Sequence, residues 1–300
     1  LVAEVLHLEV SPAEAGQKLL QFLERRLHRG VPRSALMRCI RTGQVRVDGG
    51  RRKPFDRLEA GQTVRVPPLD PGEAKAAPAV AGELTVLFED AEVIVVAKPA
   101  GLAAHAGTGH TDSVDARLKA RCADAPFPPA LVHRLDRDTS GLLLAAKTHA
   151  ALRRLTAAFR EGAARKTYLA WVRGSWPDTG ETLLEDRLEK HGGKGRERVH
   201  TGGGKVALAR VTPLLTGPSE TLLAVRLLTG RTHQIRVQLA ARGHAVVGDA
   251  KYGTTDPGGL CLHALALTLP GLDLSCPPPW TGARAVPAAA LELARRAFPD

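Results

Sequence analysis

The chain of 300 residues contains no Cys-x-x-Cys pair, and its four cysteines, Cys39, Cys122, Cys261 and Cys276, are scattered. That spacing argues against a zinc ribbon and offers no disulfide framework. Cys261 and His263 lie close enough in sequence to share a metal, but a buried thiol and a core histidine are the favoured reading, so no metal site is expected. No stretch approaches eighteen consecutive apolar residues, and Leu1-Val2-Ala3-Glu4 lacks a basic region followed by an apolar core. Neither a membrane span nor a signal peptide is expected; the cytoplasm is the default compartment. Three common catalytic signatures are also missing. Gly202-Gly203-Gly204-Lys205 is followed by Val206 and so is not a phosphate loop, Asp138 spoils a Gly-x-Ser-x-Gly elbow before Thr139-Ser140-Gly141, and no histidine pair has metal-binding spacing on a helix. Nucleotide hydrolase, serine hydrolase and zinc protease readings have nothing to stand on.

Positive charge is present in excess. Lys plus Arg is 42 against 31 acidic residues, a net of +11, and the sequence pI is about 10.0, which makes a polyanion the partner class. The distribution is uneven: residues 1–67 hold 13 Lys/Arg and 7 Asp/Glu, a net of +6, so over half of the excess lies in under a quarter of the chain. That points to a basic accessory module. The length allows one large domain or two of unequal size.

Pro67-Pro68 opens an Ala/Pro-rich stretch that runs through Pro71 and Pro78 to Gly82 without apolar periodicity. Residues 68–83 are therefore expected to be a linker between a unit at 1–67 and a body at 84–300. In the small unit, Leu19, Leu20, Leu23 and Leu27 recur at helical spacing, and a second helix is expected from Ser34 as N-cap through Leu36, Met37 and Ile40 until Gly43 stops it. Arg38 and Arg41 share one face of that helix. Val45 and Val47 start a short strand turning at Asp48-Gly49, with Thr63–Val66 as its partner. Two short helices with a basic face and a small hairpin resemble the RNA-binding module named after ribosomal protein S-four, with Arg33 to Asp48 carrying the likeness. The resemblance implies that Arg33, Arg38 and Arg41 touch RNA; the bland alternative is a solvated basic face on a structural cap.

The body opens with a hairpin, Thr85–Phe88 and Val93–Ala97, ended by Lys98-Pro99-Ala100-Gly101. Thr148 is positioned to cap a helix with Leu152, Leu155 and Phe159 as its apolar stripe and Gly162 as terminator. Lys166–Val172 alternates in strand fashion, Thr221–Leu228 is a strong strand candidate, and Gly230-Arg231-Thr232-His233-Gln234-Ile235-Arg236 leads from it into a helix ended by Gly243. Between Arg187 and Lys205 the chain is rich in Gly and basic residues without an apolar pattern, which reads as an exposed basic loop or hairpin. Strands and helices mix without regular alternation, so the fold class is α+β with a mixed, largely antiparallel sheet.

The densest polar segment is His133-Arg134-Leu135-Asp136-Arg137-Asp138-Thr139-Ser140-Gly141, set between the apolar runs Ala130–Val132 and Leu142–Ala146, both of which read as buried strands. Such a corner is either a salt-bridged turn or the seat of a catalytic carboxylate, Asp136 or Asp138, kept ionised by a nearby guanidinium: Arg134 or Arg137 locally, or Arg231 from a second polar loop. With Lys98–Leu102 and His105, with Lys166-Thr167-Tyr168-Leu169-Ala170, and with Thr229–Arg236, it forms four blocks in the order found in the RluA-type pseudouridine synthases, which the body resembles over nearly its whole length. His133, where the related small-subunit branch generally has glycine, places the likeness in the RluA branch.

The resemblance implies the pseudouridine synthase fold and an isomerase that converts uridine to pseudouridine in RNA, most readily large-subunit ribosomal RNA. It implies Asp136 as the catalytic aspartate, Tyr168 as the active-site tyrosine against the base, Arg231 as the arginine paired with the aspartate, Ile235 as an apolar wall of the pocket, and Arg134 as the arginine that enters the RNA helix where the nucleotide is extruded. No cofactor, no metal and no DNA partner are implied, and a monomer is expected. The competing class is a non-catalytic RNA-binding or ribosome-assembly factor on the same scaffold.

Overall fold

A computed structural model describes residues 4–27, 31–69, 82–106, 112–192 and 198–298. Most of the expected linker, residues 70–81, lies outside the described residues, as does the 193–197 part of the basic segment.

The N-terminal unit contains strand β1 (Leu6–Glu9), helices α1 (Leu19–Arg26) and α2 (Arg33–Arg41), and strands β2 (Arg46–Val47) and β3 (Thr63–Val66), the last flanked by the other two in an antiparallel sheet. One face of α1, through Leu19, Leu20, Phe22 and Leu23, packs with Leu36 and Ile40 of α2 onto Val47, Val64 and Val66. The turn at Asp48-Gly49 has φ of 49° and 77°, the left-handed pair that a two-residue hairpin requires and that Asp-Gly accepts at low cost. The helix start departs from expectation. Pro32, not Ser34, is the N-cap of α2, and Ser34 is exposed within the first turn, because proline's fixed φ and missing N–H already suit the position before a helix. Strand β1 has no strong signal of its own; its short polar-apolar alternation becomes a strand only because β3 offers it an edge.

In the body, strands β4 (Thr85–Glu89) and β5 (Val93–Lys98) form the expected hairpin. Helix α3 (Val114–Arg121), strands β6 (Ala130–Leu131) and β7 (Ser140–Ala146), helix α4 (His149–Arg160) and strand β8 (Arg165–Arg173) follow. Then come β9 (Thr182–His191), β10 (Arg198–Thr201), β11 (Lys205–Thr216), β12 (Glu220–Leu227), helix α5 (Gln234–Ala240), β13 (Leu262–Leu269), β14 (Leu272–Ser275) and helix α6 (Ala288–Arg296). The strands form one sheet in the order β10-β9-β11-β12-β8-β13-β7-β5-β4, with β14 on β13 and β6 on β7. Every pairing is antiparallel except β13 with β7, so the sheet is mixed and largely antiparallel as expected. Thr148 caps α4 by accepting the Ala151 N–H at 3.1 Å.

Two expectations need refinement. The apolar run before the polar segment is only a two-residue strand, half-buried, whereas β7 is buried throughout. Of the loop or hairpin expected for the basic segment from 187 to 205, the described residues form the hairpin, as the β9–β10–β11 arm at one end of the sheet. Strand β8 alternates, but between two apolar cores: Tyr168, Ala170 and Val172 face one, Leu169 and Trp171 the other. The N-terminal unit rests on the body where His149 N–H donates to Ala13 O at 2.8 Å and the Arg25 guanidinium lies 4.5 Å from the centre of the Phe127 ring.

The parallel contact positions the polar segment. Gly141 pairs with Ala264 and has φ of 111°, and a β-carbon there would come within 2.3 Å of Ala264 O. Only glycine lets β7 begin where β13 passes so closely. Gly141→Ala should therefore lower the unfolding free energy by roughly 2–4 kcal/mol, combining left-handed strain with a backbone clash; urea denaturation checks this, and a loss below about 0.5 kcal/mol would show that β13 simply moves aside.

Candidate active site

The segment 132–139 leaves β6, crosses the end of the sheet and returns as β7. Its shape is fixed from three sides. The Thr139 N–H donates to Asp136 O at 3.2 Å, which closes the turn. The Lys98 ammonium, buried at the end of β5, donates to Arg137 O at 2.7 Å and to Pro99 O and Leu102 O at 2.8 and 2.7 Å, so it joins the Lys-Pro-Ala-Gly turn to the segment. Burial pulls Lys98 down to about 8, against the opposing pull of Asp138 and Asp136. His133 stacks on Phe159, 4.9 Å between ring centres at 16°, and its Nε2 accepts the Leu144 N–H at 3.2 Å. Burial, helped by Lys166, pushes the imidazole down to about 3, which keeps Nε2 an acceptor.

The segment forms one wall of a cavity of about 680 Å³ that also takes residues from β8 and from the turn between β12 and α5. Asp136, Tyr168, Ile235, Arg134 and Arg231 all line it. Tyr168 and Ile235 are buried, while Arg134 and Arg231 are exposed. The Tyr168 phenol is pushed well above its ordinary range by burial and then by the Asp136 charge, so it is held protonated. Asp138 points elsewhere, into an exposed pair with Arg137 at 3.0 Å. The three arginines of the N-terminal unit do not join the cavity lining: Arg38 and Arg41 are exposed on α2, and Arg33 pairs with Glu24 of α1.

Arg231 does not pair with Asp136, which corrects the expectation. It lies just before α5, and its Nε donates to Val206 O at 2.9 Å. The arginine at the aspartate is Arg236, whose Nη1 is 3.3 Å from Asp136 Oδ2. The reason is local. Gln234 accepts from Arg231 N–H and from the Thr229 hydroxyl and donates to Leu208 O, which fixes the loop before the helix. His233 then turns the chain at φ of 52°, so the cavity receives Ile235 and Arg236 from the first turn of α5 while Arg231 stays at its rim.

Arg236 is buried and has a second carboxylate. Its Nε and Nη2 each make a 2.7 Å bond to Asp249, whose side chain is fully buried and also accepts the Lys251 and Tyr252 N–H groups at 2.9 and 3.1 Å. Burial alone would lower the guanidinium, but the Asp249 bonds and the charges of Asp249 and Asp136 raise it. Burial alone would raise Asp249, but the Arg236 bonds and the two amides lower it. His233 Nε2 stands 3.8 Å from Asp136 Oδ2. Asp249 and Tyr252 carry no signal in the sequence beyond following Gly248, because nothing local says that a loop carboxylate closes on a helix thirteen residues earlier.

Among the described residues no group of three or more His, Cys, Asp or Glu side chains could hold a metal ion, and no helix is long and apolar enough to cross a membrane. Cys261 and His263 are both buried, and the His263 ring nitrogens meet Ser140 Oγ and Cys276 O at 2.8 and 2.7 Å. What the cavity offers is an aspartate on a rigid turn, a guanidinium beside it, an apolar floor and a protonated phenol, with exposed arginines at the rim.

Comparison with known proteins agrees with that chemistry. Residues 92–241 match the family model described as RNA pseudouridylate synthase. The chain is 39% identical over 262 residues to the ribosomal large subunit pseudouridine synthase C of Haemophilus influenzae, covering 85% of this chain and 81% of that one. It is 39% identical over 284 residues to the protein of the same name from Escherichia coli, covering 87% and 88%. Among solved structures, human RNA pseudouridylate synthase domain containing 1 superposes with a TM-score of 0.60 at 25% identity, covering 74% of this chain and 98% of that one.

Asp249 should be the ionisable anchor of the site. Its pKa is lowered below the ordinary 3.8, so the stability it contributes is present above that value and is lost as pH falls through the folded-state pKa beneath it. Asp249→Asn should cost about 3–5 kcal/mol at neutral pH, by leaving Arg236 without its two-bonded partner, and should flatten the stability profile below about pH 4. Denaturant titrations from acid to neutral pH read both effects; parallel profiles for the two proteins would remove Asp249 from this role.

Proposed function

The chain belongs to the RNA pseudouridylate synthase family, and from that membership we propose that it isomerises uridines of large-subunit ribosomal RNA with Asp136 as the reacting carboxylate. It is an isomerase of the RluA type, acting on RNA. The observation that carries the assignment to Asp136 is its position: among the described residues it is the one carboxylate lining the cavity, on a turn held by Lys98, beside the buried Arg236. The Arg236 guanidinium stands 3.3 Å from Asp136, and a carboxylate is the form of an aspartate that attacks a sugar carbon or removes a proton from the ribose.

In this reading the uracil leaves ribose carbon one, turns within the cavity and is rejoined through its carbon five. One glycosidic bond is exchanged for another, so no cofactor is needed. Tyr168 packs against the base and Ile235 supplies an apolar wall beside it. Arg134, exposed at the cavity, enters the RNA where the nucleotide leaves the stack, offsetting part of the few kcal/mol that unstacking costs. Arg231 is reassigned from partner of the aspartate to the rim, where its charge is available to a phosphate. A scaffold without chemistry has no observation in its favour.

The division into an RNA-binding unit at 1–67, a linker at 68–83 and a catalytic domain at 84–300 belongs to the same proposal, with Arg38 and Arg41 as phosphate contacts and Arg33 tied to α1. Its support is the separate apolar core of the unit and the surplus of basic residues there. A monomer acting in the cytoplasm on RNA rather than DNA completes the reading.

Two measurements test it. With ribosomal RNA tritiated at uracil carbon five, the protein should release tritium and Asp136→Asn should do so slower by roughly 10³-fold or more, as removal of the reacting group demands; equal rates would reject Asp136. Replacing Arg38 and Arg41 together by Glu should weaken RNA binding and reduce the slope of log K against log salt by about one for each phosphate no longer neutralised. An unchanged slope would make the N-terminal unit a structural appendage.

A further inference from the structure

The arm formed by β9 and β10 packs on the active-site helix, and Tyr252 stands at that junction. A small apolar cluster of Leu188, Val199, Ala207 and Val237, with Tyr252 packed against it, seats the arm on α5. At its edge the Val199 N–H of β10 donates to the Tyr252 hydroxyl at 3.1 Å, and that hydroxyl is 2.8 Å from Nδ1 of His233. The Arg198 and Arg236 guanidinium groups lie 5.7 and 5.2 Å from the centre of the Tyr252 ring, so the tyrosine also touches the arginine that pairs with Asp136. His233 is one of only two described non-glycine residues with positive φ, a conformation that persists only where its surroundings over-determine it.

A backbone N–H can only donate, so Val199 occupies one lone pair of the Tyr252 oxygen, and the phenolic hydrogen is free to be given to Nδ1 of His233. An imidazole that accepts at Nδ1 carries its hydrogen on Nε2, and Nε2 is the atom 3.8 Å from Asp136 Oδ2. We propose that Tyr252 is a positioning residue for the isomerisation: through its hydroxyl it holds His233 as the Nε2–H tautomer with that N–H turned toward the Asp136 carboxylate. The inference rests on the reading of Asp136 as the reacting group, and no proton is transferred in it.

The groups around His233 are consistent with a neutral ring. Burial lowers its pKa first, Asp136 opposes, Arg236 and Lys251 reinforce, and Asp249 opposes least. The consequence for Asp136 is a division of donors. Arg236 supplies a charge that is mostly committed to Asp249, and an uncharged His233 N–H faces the same Oδ2 oxygen from 3.8 Å without neutralising the carboxylate. Tyr252 makes that arrangement depend on the arm being seated.

The first test uses the wild-type protein. Nitrogen-15 spectra of the histidine side chains at about pH 7, with the His233 signals assigned by their loss in His233→Asn, should show Nε2 protonated and Nδ1 bare; the opposite tautomer overturns the proposal. Asparagine is chosen because it tolerates left-handed φ. The second test is a double-mutant cycle read by tritium release. Tyr252→Phe keeps the ring and its guanidinium contacts but removes the hydroxyl, and should lower kcat about tenfold with KM unchanged. In the His233→Asn background the same change should have no further effect, because the tyrosine acts through the histidine. An unchanged kcat in Tyr252→Phe, or full additivity, overturns the proposal. If wild-type protein releases no tritium, it is the reading of the activity that fails, and the tautomer measurement still stands.

Discussion

The site is organised by one shared cation. Arg236 is buried between two carboxylates that come from distant parts of the chain, Asp136 on the turn before β7 and Asp249 in the loop before β13. A buried guanidinium without partners would be expensive, and a buried aspartate equally so. Each therefore requires the others, and the requirement joins three segments that share no local sequence relation. The helix carrying Arg236 is only seven residues long, too short to hold itself, and its place is set by these bonds and by the buried glutamines Gln234 and Gln238 beneath it.

The turn bearing Asp136 depends on contacts of a different kind. Lys98 binds three carbonyl oxygens, and since each of its N–H groups has an acceptor, the ammonium can remain buried with its charge. Gly141 allows the parallel approach of β13, which brings Leu262 and the buried His263–Ser140 pair behind the cavity. The backbone of the turn is thus fixed by glycine and lysine while Arg134 and Asp136 are left to face the cavity. That separation of roles suits the carboxylate proposed to react, which needs a rigid main chain and an oxygen that no local donor saturates.

Much of this is legible in the sequence because it is local. Thr148, Gly43, the Asp48-Gly49 turn and the β4–β5 hairpin each follow from residues within a few positions of one another, and the polar segment between apolar runs narrows the carboxylate to Asp136 or Asp138, between which the family resemblance chooses. The departures share a cause. Ser34 yields the cap to Pro32 because two good starters stand within three residues and the proline, with φ already fixed, comes first. Arg231 and Arg236 stand in one polar stretch, and only the turn at His233 decides which of them the helix presents to the aspartate. Asp249 and Tyr252 are not legible at all, since their meaning lies wholly in what they touch.

The lengths around Arg236 carry the final step. Two 2.7 Å bonds bind the guanidinium to Asp249, while Asp136 stands off at 3.3 Å. Had the preference been reversed, a two-bonded salt bridge would have engaged both oxygens of Asp136. By giving its best geometry to Asp249, Arg236 contributes charge to Asp136 without covering it. The buried partner away from the cavity receives the strong bonds, and the carboxylate proposed to react, which lines the cavity, receives the weaker one.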